Sequence, residues 1–287
     1  ARPPEVVIGA RPEDRGADGA REDALAGVTL VRYAIEGEPV TPVEAAVRVA
    51  ELARRSAMAQ YGRRSGGCVS PTLAGKDAEG RPLSGHLHAF YIPTDEDGDG
   101  FLDHLSVYGP AGFDQAELEA LMSVRCLNWG DGSNVLWLGF RGLSNEADLS
   151  GAGPFFSRSR AWVSATPYVL TRYPKVTRAG VPKMSPQGYQ RDGPEDQVIR
   201  EWDDRKSSNR SLPRIAAVEV INGDERAIAA EWAPWSIHRR RLELPSVRMP
   251  GVCLRVVFED EAQGPLALGY GCHYGLGLFA PERGVIG

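Results

Sequence analysis

Three of the chain's five histidines, His86, His88 and His104, fall within residues 84–107, together with the acidic positions Asp95, Asp97, Asp99 and Asp103. Imidazole titrates near neutrality, so such groups can take a proton from one oxygen and return it to another without a metal. The same side chains are metal donors: His86-Leu87-His88, with Asp103 and His104, offers imidazole and carboxylate to zinc, manganese or iron. A third reading is inert, with the histidines as hydrogen-bonded structural groups on a half-buried face. Residue type and spacing leave all three open. Asp95, Asp97, Asp99, Gly100, Leu102 and Asp103 also match the first nine positions of an EF-hand-like calcium loop. Ser106 stands where that loop needs its bidentate glutamate, which favours a plain Asp/Gly turn over a calcium site at Asp95, Asp97, Asp99 and Asp103.

Short elements must hold these side chains. Residues 86–92 and 102–108 are β-branched and aromatic and flank the acidic turn, which predicts a hairpin. Alternate strand side chains share a face, so His86 and His88 are expected to point the same way, with His104 near them across the hairpin. His104-Leu105-Ser106 supplies one His-x-Ser motif of the kind phosphoesterases use in pairs; the second is absent.

Around the hairpin the sequence predicts a strand at 28–35, then a helix from Thr41 to Tyr61 opened by a Thr41/Glu44 capping box with Pro42 at its first position. A second helix over 113–127 with Asp114 as N-cap and a strand at 135–140 complete a β-α-β-β-α-β unit, the ferredoxin-like arrangement. The pattern recurs more loosely later: strands at 161–170, 215–221, 252–258 and 268–279, with a helix at 195–203 opened by Pro194. Residues 171–193, dense in Arg, Lys, Pro and Gly, read as an exposed loop. The expected architecture is α+β, a tandem of ferredoxin-like units over 27–145 and 146–287, preceded by a Pro/Gly/charge-rich tail or linker over 1–26.

With 287 residues, 42% hydrophobic and 25% charged, the chain has the composition of a soluble globular protein. No apolar run approaches the ~20 residues of a membrane span and no signal peptide opens the sequence, so a cytoplasmic chain with no membrane partner is expected. The first residue is Ala1, which suggests a processed chain or a piece of a longer one. Cys68, Cys126, Cys253 and Cys272 lack the spacing of a zinc finger or redox pair and read as reduced, packed thiols.

A net charge of −5 argues against a generic nucleic-acid coat, yet the charge is uneven. Residues 158–214 carry twelve Lys/Arg against six Asp/Glu, and Arg239, Arg240 and Arg241 form a second basic cluster. By charge, Arg63, Arg64, Lys183, Arg191, Lys206 and this cluster are candidate phosphate contacts. The C-terminal run Gly269-Tyr270-Gly271-Cys272-His273-Tyr274-Gly275-Leu276-Gly277 is the other chemical signal. Glycine-rich loops expose backbone N–H groups and admit a phosphate because no Cβ intervenes. It fails as a dinucleotide fingerprint, having no helix after it.

Taken in order, Gly85 to Tyr91, the Asp97-Gly98-Asp99-Gly100 turn, Asp103-His104-Leu105 and the terminal Gly-x-Gly-x-His-Tyr-Gly-Leu-Gly-Leu-Phe segment resemble the CRISPR-associated RAMP-superfamily protein of type I-G (formerly I-U) systems. In that family an effector subunit is fused to a repeat-RNA-processing endonuclease, and the resemblance covers residues 28–281, the processing half. It implies tandem RAMP folds with a C-terminal glycine-rich loop, which bind CRISPR repeat RNA and cut it once per repeat. It also implies metal-free attack by the 2′-hydroxyl, a 2′,3′-cyclic phosphate product, no cofactor, and partnership with subunits of a type I interference complex.

On that reading His86 and His88 are the acid–base residues, and His104 and His273 stand behind them. Gly269, Gly271, Gly275, Gly277 and His273 line the RNA, with Tyr91 and Tyr270 as further hydroxyl or stacking groups. Related endonucleases often carry their histidine near the first helix, and that helix has none here. Two alternatives remain: a non-catalytic guide-RNA-binding subunit, or a metal-dependent phosphohydrolase built on His86, His88, Asp103 and His104.

Overall fold

The computed structural model describes residues 27–37, 40–129, 135–209, 211–221 and 251–282. The expected tail over 1–26 and the basic cluster Arg239, Arg240 and Arg241 lie outside them. The first half runs β1 (Val28–Glu36), α1 (Ala46–Arg64), a single-turn α2 (Pro71–Ala74), β2 (Phe90–Thr94), β3 (His104–Tyr108), α3 (Gln115–Met122), β4 (Cys126–Asn128) and β5 (Val135–Asn145). Its antiparallel sheet has the order β2-β3-β1-β5-β4. Without the short edge strand β4, this is the ferredoxin-like order.

Central β1 is buried on both faces. Val31 and Tyr33 pack with Val47, Ala50, Ala53 and Ala57 of α1 and Leu118 and Leu121 of α3, and the small residues of α1 let it lie close to the sheet. Tyr33 donates its hydroxyl to Leu121 O at 2.7 Å, pinning α3.

The second half runs β6 (Arg158–Ser164), β7 (Tyr168–Val169), α4 (Pro194–Ser208), β8 (Ile215–Val220), β9 (Gly251–Val252), β10 (Leu254–Gln263), β11 (Leu266–Ala267) and β12 (Leu278–Pro281). Its sheet order, β11-β12-β6-β10-β8, repeats the same topology. The fold is therefore α+β with two antiparallel, ferredoxin-like sheets. Where the second helix of this unit would connect β10 to β12, the chain makes β11 and a glycine-rich stretch with a 3-10 turn at Cys272–Tyr274. The strand expected over 268–279 is thus a correction: only its end, β12, is extended.

The two sheets meet at a shared apolar seam. Leu30, Phe90 and Ile92 of the first pack against Ala267, Cys272 and Leu278 of the second, with Leu149, Phe155 and Phe156 of the connection between them. Tyr274 and Leu276 cross further, into the first sheet's own core. Among the described residues no helix is long and apolar enough to cross a membrane.

Two local expectations divide. Asp114 caps α3 as expected, its Oδ1 accepting Glu117 N–H at 2.7 Å, and the structure adds the reciprocal bond of Asp114 N–H on Glu117 Oε2 at 3.0 Å. The Thr41/Glu44 box does not. Pro42 caps a 3-10 turn at Val43–Ala45 without a side-chain bond, and Thr41 O instead accepts Leu102 N–H at 2.8 Å.

Candidate active site

The sequence places a strand from His86, but β2 begins at Phe90. Ala89 N–H bonds Thr72 O at 2.9 Å instead of β3, and Gly85 turns in the left-handed region at φ 81°, so residues 84–89 leave the sheet and wrap α2. His86 and His88 therefore sit on a loop. His104 begins β3 opposite Thr94, whereas Phe90 pairs with Tyr108. Four residues of β2 separate the two ends, about 13 Å at strand rise. This corrects the grouping of His104 with His86 and His88, and with it the donor set His86, His88, Asp103 and His104.

His273, from the far end of the sequence, occupies the place expected of His104. Its Nδ1 lies 3.1 Å from Ala89 O, which fixes the ring: Nδ1–H donates and Nε2 keeps its lone pair. His86 Nδ1 lies 3.1 Å from that Nε2, so His86 is the donor between them. The His273 ring stacks between His88, at 3.8 Å and 7° between planes, and Phe90, at 3.8 Å and 20°. Gly75 makes the room for His88: in the left-handed region at φ 66°, it would with a Cβ stand 2.7 Å from the His88 ring.

Helix α4 supplies the charges. Glu201 Oε1 lies 3.6 Å from His86 Nε2 and pairs with Arg205 at 2.5 Å, and its Oε2 accepts Gly269 N–H at 2.8 Å. Arg205 also reaches Ala267 O at 2.7 Å and Cys272 Sγ at 4.0 Å. Its Nε and the His88 Nδ1 are buried with no partner among the described residues.

Burial sets the protonation. It pushes His273 down to about 2, with the His88 and His86 rings and Arg205 adding to it. It pushes His86 down to about 3, helped by Arg205 and His88. His88 is lowered too, by burial and then Arg54, and the buried Cys272 thiol is raised to about 12 by burial and then Glu201. At neutral pH the three rings are uncharged.

A pH dependence of stability follows. The unfolded chain takes up a proton at each histidine below its ordinary pKa of about 6.5, and the folded chain does not, so stability is complete above that value and is lost as pH falls towards the folded pKa. At pH 5 His273 alone is expected to lose about 2 kcal/mol of its contribution, at 1.36 kcal/mol per pH unit. Denaturant titrations at pH 7.5 and pH 5 check this. His273→Phe, which keeps the stack without the titrating group, should flatten the dependence by that amount, and an unchanged slope would count against the buried neutral ring.

The glycine-rich segment departs from a phosphate cradle. Gly269, Gly275 and Gly277 are buried, and Gly271 is half-buried. The Gly269 and Gly277 N–H groups are taken up by Glu201 and by Pro167 O. A Cβ on Gly275 would lie 3.2 Å from Pro93 Cδ and 3.5 Å from Ala46 Cβ, so Gly275 serves close packing between the halves, while Gly269, Gly271 and Gly277 pack against Tyr168, Leu276 and Leu268 within the second half. Tyr91 is core, its hydroxyl on Leu73 O at 3.0 Å, while Tyr270 is exposed.

Arg63 and Arg64 are exposed at the end of α1, where Arg64 bonds Gln60 and Ser123. Lys206 is half-buried in the last turn of α4. Lys183 and Arg191 stand exposed on the 171–193 loop, which doubles back on itself: Lys175 N–H bonds Arg191 O, Lys183 N–H bonds Lys175 O, and Arg191 N–H bonds Lys183 O. Both feet of this loop are held by buried Gln197. Its Oε1 accepts Thr171 N–H at 2.9 Å, and its Nε2 donates to Arg172 O at 2.9 Å and Asp192 O at 2.7 Å.

The acidic turn is tied up in its own backbone. Asp95 accepts Gly98 and Gly100 N–H, Asp97 accepts Asp99 N–H, Asp99 accepts Phe101 N–H, and Asp103 accepts Glu96 N–H. Carboxylate oxygens of Asp95, Asp97 and Asp103 lie within 4.8 Å of one another, and Asp99 is not in that group. His104 pairs with Asp103 at 2.9 Å.

No protein-family model matches the chain, and neither does any curated protein. Among solved structures, a Cas6 product complex is similar over 89% of this chain and 100% of its own, at 14% identity and a TM-score of 0.41. A RAMP protein described as binding different RNA substrates is similar over 89% of this chain and 100% of its own, at 12% identity and a TM-score of 0.43. The chemistry of the site rests on its own geometry.

Sequence reasoning passed over Glu201, Arg205, Cys272 and Phe90. A signal existed for the first two. Glu201 and Arg205 are four apart on a helix opened by Pro194, the spacing of an ion pair on one face.

Proposed function

We propose that this chain binds the repeat portion of a CRISPR precursor transcript and cuts it without metal, by attack of the 2′-hydroxyl on the adjacent phosphate. One observation carries the reading: the hydrogen-bonded pair His86–His273, flanked by His88 and Arg205, where a neutral imidazole reaches the surface. His86, its side chain 32% exposed, is the group that meets substrate. It takes the 2′-hydroxyl proton, the 2′-oxygen bonds to phosphorus, and the P–O5′ bond breaks. Protonated His86 then gives that proton to the leaving 5′-oxygen, with His88 positioning the site, and Arg205, the cation that acts on His86, supplies positive charge to the intermediate. The products are a 2′,3′-cyclic phosphate and a 5′-hydroxyl. RNA is required because the nucleophile is its own 2′-OH.

The exposed cations of the 171–193 loop, Lys175, Arg178, Lys183 and Arg191, with exposed Tyr173, suit a phosphate backbone and one stacked base. The type I-G assignment, partnership with interference subunits, a cytoplasmic location and a division at residue 145 follow from the sequence reading and belong to this proposal.

The test incubates the purified chain with repeat RNA in excess chelator, beside copies carrying one 2′-deoxy nucleotide at each candidate position. Cleavage that survives chelator and is abolished at one deoxy position is expected. A second reading, RNA binding without cleavage, draws on the depth at which His273 is packed. It predicts tight, salt-dependent binding of every copy and no product.

A further inference from the structure

We infer that His86, His273 and Cys272 form a zinc site, with His86 Nδ1, His273 Nε2 and Cys272 Sγ as donors. The site holds whether or not the chain cuts RNA. One donor atom from each of the three residues lies within 4.8 Å of the others. The two ring nitrogens are 3.1 Å apart. Two nitrogens on a tetrahedral zinc, each at about 2.0–2.1 Å from the metal, stand about 3.3–3.4 Å apart, so a small ring rotation opens the pair to an ion.

The second ring nitrogens point to the same conclusion. Zinc-bound histidines hold their other nitrogen on a carbonyl or carboxylate, which fixes the ring and raises its basicity. His273 Nδ1 is on Ala89 O at 3.1 Å, and His86 Nε2 faces Glu201 Oε1 at 3.6 Å. Both outer partners are in place before any ion arrives. Arg205, 4.0 Å from Sγ, favours the thiolate that zinc requires. Three protein donors leave the fourth position of a tetrahedral ion to water.

The protons balance. The ion displaces the proton between His86 Nδ1 and His273 Nε2, His86 takes one up at Nε2 towards Glu201, and the Cys272 thiol proton leaves to solvent. One proton is released per ion bound. Because the ion takes His86 Nδ1 and leaves a proton on Nε2, the nitrogen otherwise free to accept the substrate proton, the zinc-loaded chain is the inactive form of the proposed enzyme.

Cobalt(II) titration of the purified chain tests the site without RNA. The expected result is one ion per chain with a near-ultraviolet thiolate-to-cobalt band, both reversed by zinc. Cys272→Ser should lose the band, and Cys68→Ser, at an exposed thiol, should keep it. Glu201→Gln should weaken binding on the order of 10–100-fold through the outer partner. Circular dichroism confirms that each variant folds. No thiolate band from the parent chain at saturating cobalt, or a band retained in Cys272→Ser, overturns the assignment. The parent spectrum and stoichiometry decide alone if the variant does not fold. In a chain that cleaves, one equivalent of zinc should stop cleavage and chelator should restore it. Failure to cleave at all leaves the titration result standing.

Discussion

His86→Ala is expected to bind repeat RNA within about twofold of the parent and to cleave it about 10²–10⁴-fold more slowly, the share that a positioned acid–base group supplies. The effect falls on the chemical step because His86 makes no contact that holds the fold: it sits on the loop before β2, and its bonds are to His273 and Glu201. His88→Ala, which removes a ring stacked on His273 and not the proton carrier, should slow cleavage less than His86→Ala does. His104→Ala, at the other end of the hairpin, should change the rate by less than about twofold. Single-turnover cleavage measured beside filter binding separates the two quantities. A His86→Ala chain that cuts at the parent rate would remove the cluster from the mechanism, whereas lost binding with unchanged chemistry would make it an RNA contact.

The sheets were legible because their signals are local. Runs of β-branched, aromatic and other apolar residues marked β1, β3, β5 and β10, Asp114 marked α3, and Pro194 marked α4. The site was only half legible, since its decisive contacts join distant residues. That β2 starts at Phe90 depends on Ala89 N–H bonding Thr72 O, a choice that no strand propensity contains. His86 meets His273 across 187 positions, because the glycine-rich connection of the second sheet is driven into the first. The histidine nearest in sequence was the wrong partner for a geometric reason. In a hairpin, residues flanking the turn face each other, and His86 lies at the open end.

The glycine-rich connection yields the other large effect. Gly277→Ala is expected to destabilise the chain by about 2–5 kcal/mol, combining about 1–2 kcal/mol for a left-handed residue with a Cβ and about 1–3 kcal/mol for overpacking. At φ 57° a Cβ would stand 1.8 Å from Leu268 O, a backbone atom that cannot swing away because Leu268 N–H is bonded to Gly277 O at 2.9 Å. Gly66→Ala is the matched reference: φ is 67° and nothing lies within 4 Å of its Cβ, so it should cost only the left-handed share, about 1–2 kcal/mol. The difference between the two in a urea titration isolates the clash. It matters to the site because Leu276 and Tyr274, buried in the first sheet's core, set the turn that carries His273. If Gly277→Ala unfolds within about 1 kcal/mol of Gly66→Ala, the loop is not packed this tightly and His273 is not held against His86 by it.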